Sequence, residues 1–157
     1  MIRPGTVGRA GKHTETGLDP ATTDIGNVIG QLLNDGYEEV LEYQFWVVIQ
    51  FPSKTKAADF RLIEHAEEWL AATLDERGLG YVDGHDRGKH SGTGKIVVNV
   101  YLRAIDAELG CLAAMSALRS GRADPQRATI AYRATLSEIW TVRYERTSGK
   151  FPREFGI

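Results

Sequence analysis

Hydrophobic and polar positions alternate from Glu42 to Phe51, EYQFWVVIQF, with Tyr43, Phe45, Val47, Ile49 and Phe51 on one side and Gln44, Trp46, Val48 and Gln50 on the other. A period of two in a stretch dense with β-branched and aromatic residues predicts a strand whose first set faces the core. Pro52 closes it. From Asp59 to Arg77 the period lengthens to that of an α-helix. Leu62, Ile63, Ala66, Trp69, Leu70, Thr73 and Leu74 form one stripe, Glu64, Glu67 and Glu68 take the wet side, and Gly78 stands where a C-terminal cap belongs. A short strand is then predicted over Leu79 to Val82. A longer one follows over Lys95 to Arg103, where Ile96, Val98, Val100 and Leu102 alternate with Val97, Asn99, Tyr101 and Arg103. Asp106 is placed to cap a second amphipathic helix carrying Leu109, Cys111, Leu112, Met115 and Leu118, which stops at Ser120-Gly121 before an Asp124-Pro125 turn. Ala128 to Ala134 and Ile139 to Arg146 complete the pattern as a final pair of strands.

The order β-α-β-β-α-β-β predicts a ferredoxin-like α+β sandwich, a mainly antiparallel sheet with one extra C-terminal strand. Ahead of it, residues 1–20 are glycine-rich, hold two prolines and show no hydrophobic period, which predicts a flexible N-terminal arm. A short helix is predicted from Thr22 to Leu33, capped by Thr22, Thr23 or Asp24 and ended by Asn34-Asp35-Gly36. At 157 residues, positions 21–157 read as a single α+β domain.

The stretch DGHDRGKHSGTGK, residues 83–95, concentrates the candidate chemistry. Gly88 to Gly94-Lys95 has one residue too many for a phosphate-binding P-loop, Ile96 stands where its hydroxyl should be, and a strand rather than a helix follows. Asp83, His85, Asp86 and His90 are the donor types of a metal site, but a Gly-rich hairpin supplies little of the rigidity such a site requires. The favoured reading is a turn in which Asp83 and Asp86 bond to backbone amides and Gly84 and Gly88 allow the reversal, followed by a KHSGTG tip that is mobile or ordered only by a ligand, with a solvated His90. No metal or other cofactor is expected. EHAEEW is not a zinc-protease helix, no G-x-S-x-G elbow occurs, and KIVVNVYL is too aliphatic for an RNA-binding sheet of the RRM type. Cys111, alone in the chain, reads as a small buried hydrophobe.

Charge changes the picture locally rather than overall. The net charge is −2, with 42% hydrophobic and 25% charged residues, which gives no general attraction to nucleic acid or anionic lipid. In a ferredoxin-like sheet, however, Pro52–Asp59, Asp83–Lys95 and Arg119–Arg127 emerge at one end. They carry eight basic residues, Lys54, Lys56, Arg87, Lys89, Lys95, Arg119, Arg122 and Arg127, against four acidic ones, Asp59, Asp83, Asp86 and Asp124. The longest apolar runs are far shorter than a bilayer span and the first residues lack a signal-peptide core, so a cytoplasmic protein is expected.

The residues GYVDGHDRG, then GKIVVNVYL, ATIAYR and a strand containing IW, resemble a loosely defined family of small uncharacterised bacterial proteins with a V-D-G-H-D-x-G hairpin. That resemblance spans roughly residues 43–142 and implies a ferredoxin-like fold without an established activity. LLNDGYEEVLEYQFWVVIQFPSKTKAADF is more weakly similar to the opening of the RraB family of ribonuclease E inhibitors, which act by binding a protein.

The function expected is that of a non-enzymatic binding protein of regulator or immunity-protein type. It would dock a protein partner through the basic loop end (Lys54, Lys56, Asp83, His85, Asp86, Arg87, Lys89, His90, Lys95 and Arg122) or through the open sheet face bearing Trp46, Val48, Val97 and Tyr101. The open face could equally be covered by the N-terminal helix or by a second copy in a homodimer. An anionic ligand suits the basic end, whereas nucleic acid and membrane are not expected as partners. The alternative is a small enzyme on an anionic substrate, with His85 or His90 as general base and Arg87 or Lys89 holding the anion.

Overall fold

The computed structural model describes residues 25–36, 43–147 and 155–157. The elements are α1 (Ile25–Asn34), β1 (Phe45–Pro52), α2 (Lys56–Arg77), β2 (Gly80–Lys89), β3 (Ile96–Ala104), α3 (Ala107–Ser120), β4 (Thr129–Ala134) and β5 (Thr141–Tyr144), with one 3-10 turn at Pro125–Arg127. The arm and the helix caps expected in residues 1–24 lie outside the described residues.

β1 is the centre of the sheet because it is apolar on both faces. It pairs antiparallel with β3 on one side (Ile49↔Val100) and with β4 on the other (Ile49↔Ile130). The full order is β2-β3-β1-β4-β5, and every neighbouring pair is antiparallel. This is the ferredoxin-like sandwich with a fifth strand added beside β4. Val47, Ile49, Phe51, Val98, Val100, Leu102 and Ile130 face the two long helices and are buried against Ile63, Ala66, Leu70 and Leu74 of α2 and Cys111, Ala114 and Leu118 of α3. α3 comes close to the sheet because its inner face is small: a Cβ on Gly110 would lie 2.9 Å from the Ala104 methyl.

The caps follow ordinary helix chemistry, with one change from the sequence pattern. α2 starts three residues before Asp59, where the Thr55 side chain accepts from the Ala58 amide, and Asp59 is left in the first turn for another role. Gly78, at φ 61°, closes the helix in the left-handed conformation that a side chain would strain. Asp106 caps α3 as expected, accepting from the Leu109 amide.

The strand β2 corrects the reading of VDGHDRG as a turn. Its ladder with β3 runs from Gly80↔Ala104 to Lys89↔Ile96, with one irregularity between Val82 and Gly84 that leaves Asp83 as the bulged residue. Charged residues and glycines are tolerated there because β2 borders the sheet, where charge blunts unwanted pairing. The reversal itself is confined to Ser91–Gly94. It is closed by the His90 amide on the Lys95 carbonyl (2.8 Å) and by the Thr93 and Gly94 amides on the His90 carbonyl (3.2 and 2.8 Å). The KHSGTG tip is therefore a hydrogen-bonded turn, not a loose loop.

Candidate functional site

Alternation along β2 sends the candidate residues to opposite faces of the sheet. His85 and Arg87 face α2. His85 Nδ1 lies 2.7 Å from Glu67 Oε1, and Arg87 Nε donates to Asp59 Oδ2 at 2.9 Å. Asp59 is buried and also accepts from Ser53 Oγ (2.5 Å) and from the Lys54 amide (2.9 Å). Burial alone would raise this carboxyl, but the bonds from Ser53, Lys54 and Arg87 outweigh it and hold Asp59 below the ordinary carboxylate value of 3.8. The folded carboxyl is thus the stronger acid, so its contribution to stability is complete above that ordinary value and is lost as pH falls through the lower folded one. Asp59→Asn should be less stable by about 2 kcal/mol at neutral pH. Denaturant melts between about pH 5 and 2 should show the variant losing less stability than wild type on acidification.

The basic loop end forms as the topology requires, since Pro52 of β1 sits opposite Val97 and the Ser53 amide donates to the Ile96 carbonyl. Lys54, Lys56, Lys89, Lys95 and Arg122 are exposed there, and Arg122 holds a left-handed φ of 61° just after α3. His85 pairs with Glu67, Asp83 and Asp86 belong to the open face, and Arg87 and His90 also depart from the expected set. The Arg87 charge is already answered by Asp59. His90 is not solvated but only 2% exposed: its Nδ1 accepts from the Gly92 amide at 3.1 Å, and it packs so tightly on Gly156 that a Cβ there would meet its ring at 2.7 Å. His90→Ala, harmless for a solvated imidazole, should instead cost about 2 kcal/mol in a thermal or urea melt. Among the described residues no three His, Cys, Asp or Glu side chains gather as a metal site would, because Asp86 faces away from His85.

Asp86 belongs to the open face. It accepts from Asn99 Nδ2 and from the Tyr101 hydroxyl, both at 2.8 Å, and Asn99 in turn accepts from Gln50 Nε2 at 3.0 Å. Burial, followed by the bond to the Asp86 carboxylate, pushes the Tyr101 phenol well above its ordinary value and keeps it a donor. Gln50 also donates to the Gly156 carbonyl (2.9 Å), and Phe155 meets the Trp140 ring at 5.6 Å, so the segment Phe155–Ile157 lies across this face. Val48 and Val97, expected to be exposed, are fully buried.

Beside that segment an open cleft of about 460 Å³ remains. Tyr101, Trp46 and Arg133 come from β3, β1 and β4, with Trp140 and Glu138 from the β4–β5 connection, Asp83 at the β2 bulge, and Ile157 completing the wall. Trp46 and Tyr101 meet edge to face at 6.2 Å, while the Arg103 guanidinium lies 4.4 Å from the Trp46 ring. Arg133 is held between two indoles, 5.8 Å from Trp46 and 5.1 Å from Trp140, and its Nη1 donates to the carbonyls of Ser137 and Thr135. The connection that supplies Trp140 also carries Leu136 and Ile139, which are 99% and 79% exposed.

Of the residues singled out in the sequence, Asp83, Trp46 and Tyr101 meet in this cleft, whereas Lys54, Lys56, His85, Arg87, Lys89, Lys95 and Arg122 do not line it. Sequence reading missed Arg133, Leu136, Glu138 and Ile139. The available signal was two large aliphatics in TLSEIW, a stretch with neither helical nor strand period. Comparison of the chain with protein-family models, curated proteins and solved structures gave no match.

Proposed function

We propose that this chain is a non-enzymatic binding protein that docks a protein partner through the open-face cleft and the adjoining β4–β5 connection. The observation that supports this most strongly is the pairing of two bare aliphatic side chains, Leu136 and Ile139, with a cleft built of Trp46, Trp140, Tyr101 and Arg133. Large apolar side chains left in water are costly to keep unless something covers them, and tryptophan, tyrosine and arginine are the residues on which interface energy concentrates. His85 and Arg87, the residues of the alternative enzyme reading, are paired to carboxylates on the helix side, whereas the cleft opens on the other. No described helix is long and apolar enough to cross a membrane.

The two candidate surfaces can be told apart directly. A partner captured from native cells by the wild-type chain should be lost with Leu136→Asp/Ile139→Asp and kept with Lys54→Glu/Lys89→Glu. Both variants alter exposed side chains and should melt within about 0.5 kcal/mol of wild type. The reverse pattern of capture would move the interface to the basic end.

A further inference from the structure

Resting on that reading of the open face, we infer that the cleft receives an extended segment of the partner protein bearing an apolar residue between two basic ones, spaced basic-x-apolar-x-basic. The charges at the cleft motivate the ends of this pattern. Asp83 and Glu138 line it, both are exposed, and neither carboxylate has a hydrogen bond or ion pair among the described residues. The cations nearby are already engaged: Arg103 donates to the Tyr43 carbonyl (2.9 Å) while covering Trp46, and Arg133 is locked between the indoles by its bonds to Ser137 and Thr135. Both arginines are bonded to neutral carbonyls, so the two unpaired carboxylates are the lining groups left open to a charged partner, and the aromatic walls favour a cation with an apolar stem.

The sheet order motivates the spacing. Asp83 is on β2 and Glu138 lies in the connection that follows β4, and β3 and β1 run between those two strands. Three strand spacings separate β2 from β4, about 14 Å. In an extended peptide, residues i, i+2 and i+4 point the same way and the outer two lie about 13–14 Å apart. Two basic residues at i and i+4 therefore span the distance from β2 to β4, with the residue at i+2 over the strands that carry Trp46 and Tyr101.

Three capped synthetic peptides test this on the intact protein: Lys-Ser-Leu-Ser-Lys, Ser-Ser-Leu-Ser-Ser and Glu-Ser-Leu-Ser-Glu, each followed through the tryptophan indole N–H resonances. The lysine peptide should shift Trp46 and Trp140 and leave Trp69 unmoved, since that ring is stacked on His65 in the helix layer. The serine peptide should bind about tenfold more weakly, a difference of about 1.4 kcal/mol, and the glutamate peptide should not bind. Asp83→Asn and Glu138→Gln should each weaken the lysine peptide about five- to tenfold without changing the serine peptide, with an otherwise unchanged spectrum showing that the fold is kept. Equal binding of the lysine and serine peptides, preference for glutamate, shifts confined to other residues, or no shift at about 1 mM would each overturn the inference. The docking reading is judged separately, by whether Leu136→Asp/Ile139→Asp loses the captured partner.

Discussion

Val98→Asp should leave no cooperatively folding protein. Val98 is fully buried in β3, opposite Phe51 of β1 and Arg87 of β2, and its side chain packs in the core under the two helices. An aspartate there must enter ionised and without a partner, or be protonated at a cost set by burial. Lost packing adds about 1.5–3 kcal/mol. Together these consume most of the 5–15 kcal/mol typical of a domain, and circular dichroism should show no sigmoidal melt. Val142→Asp, on the exposed part of β5, should melt like wild type. A Val98→Asp protein with an unchanged transition would mean that β3 presents this residue to solvent.

The second large effect should come from a single methyl group. Gly80 opens β2 at φ 155°, and a Cβ built there would lie 1.9 Å from the Arg103 carbonyl oxygen and 3.1 Å from Ala104 Cα. Those are main-chain atoms of β3, paired to Gly80 in the ladder, so no side chain can rotate away to make room. Gly80→Ala must push the two strands apart and is expected to cost at least about 3 kcal/mol in a urea titration. Gly88→Ala, in the same strand with nothing within 4 Å of the new methyl, should stay within about 0.5 kcal/mol of wild type. Equal stability of the two variants would contradict the pairing of β2 with β3.

These two sites mark where the sequence was legible and where it was not. Val98 was placed correctly because the period of two in KIVVNVYL is local, and burial on the helix side enforces it. The periodicity of α2 and the Asp106 cap were legible for the same reason: each depends on neighbours a few residues away. β2 was under-read because GYVDGHDRG has almost no apolar pattern of its own, and its strand geometry comes from pairing with β3. His90 was misjudged because a histidine in a Gly-rich stretch is usually wet. Here the Gly92 amide and Gly156, distant in sequence, close over it.

The candidate site was the least legible part. Trp46 and Tyr101 could be assigned to the open face from alternation, but Arg133 and Trp140 join them only through the register Trp46↔Arg133 and the return of the chain at β5. At the basic loop end the run of charges was legible as a count, although Asp83 and Asp86, included in it, belong to the open face. Its chemistry was not, since Asp59 takes up Arg87 through a buried contact that no spacing announces.

Hydrogen exchange on the purified complex with the captured partner tests the central claim most directly. The account expects added protection at residues 133–142 and around Asp83 and Tyr101, with Lys54, Lys56 and the turn at Ser91–Gly94 exchanging as in the free protein. Protection confined to that turn and to Lys54–Lys56, with residues 133–142 unchanged, would contradict it.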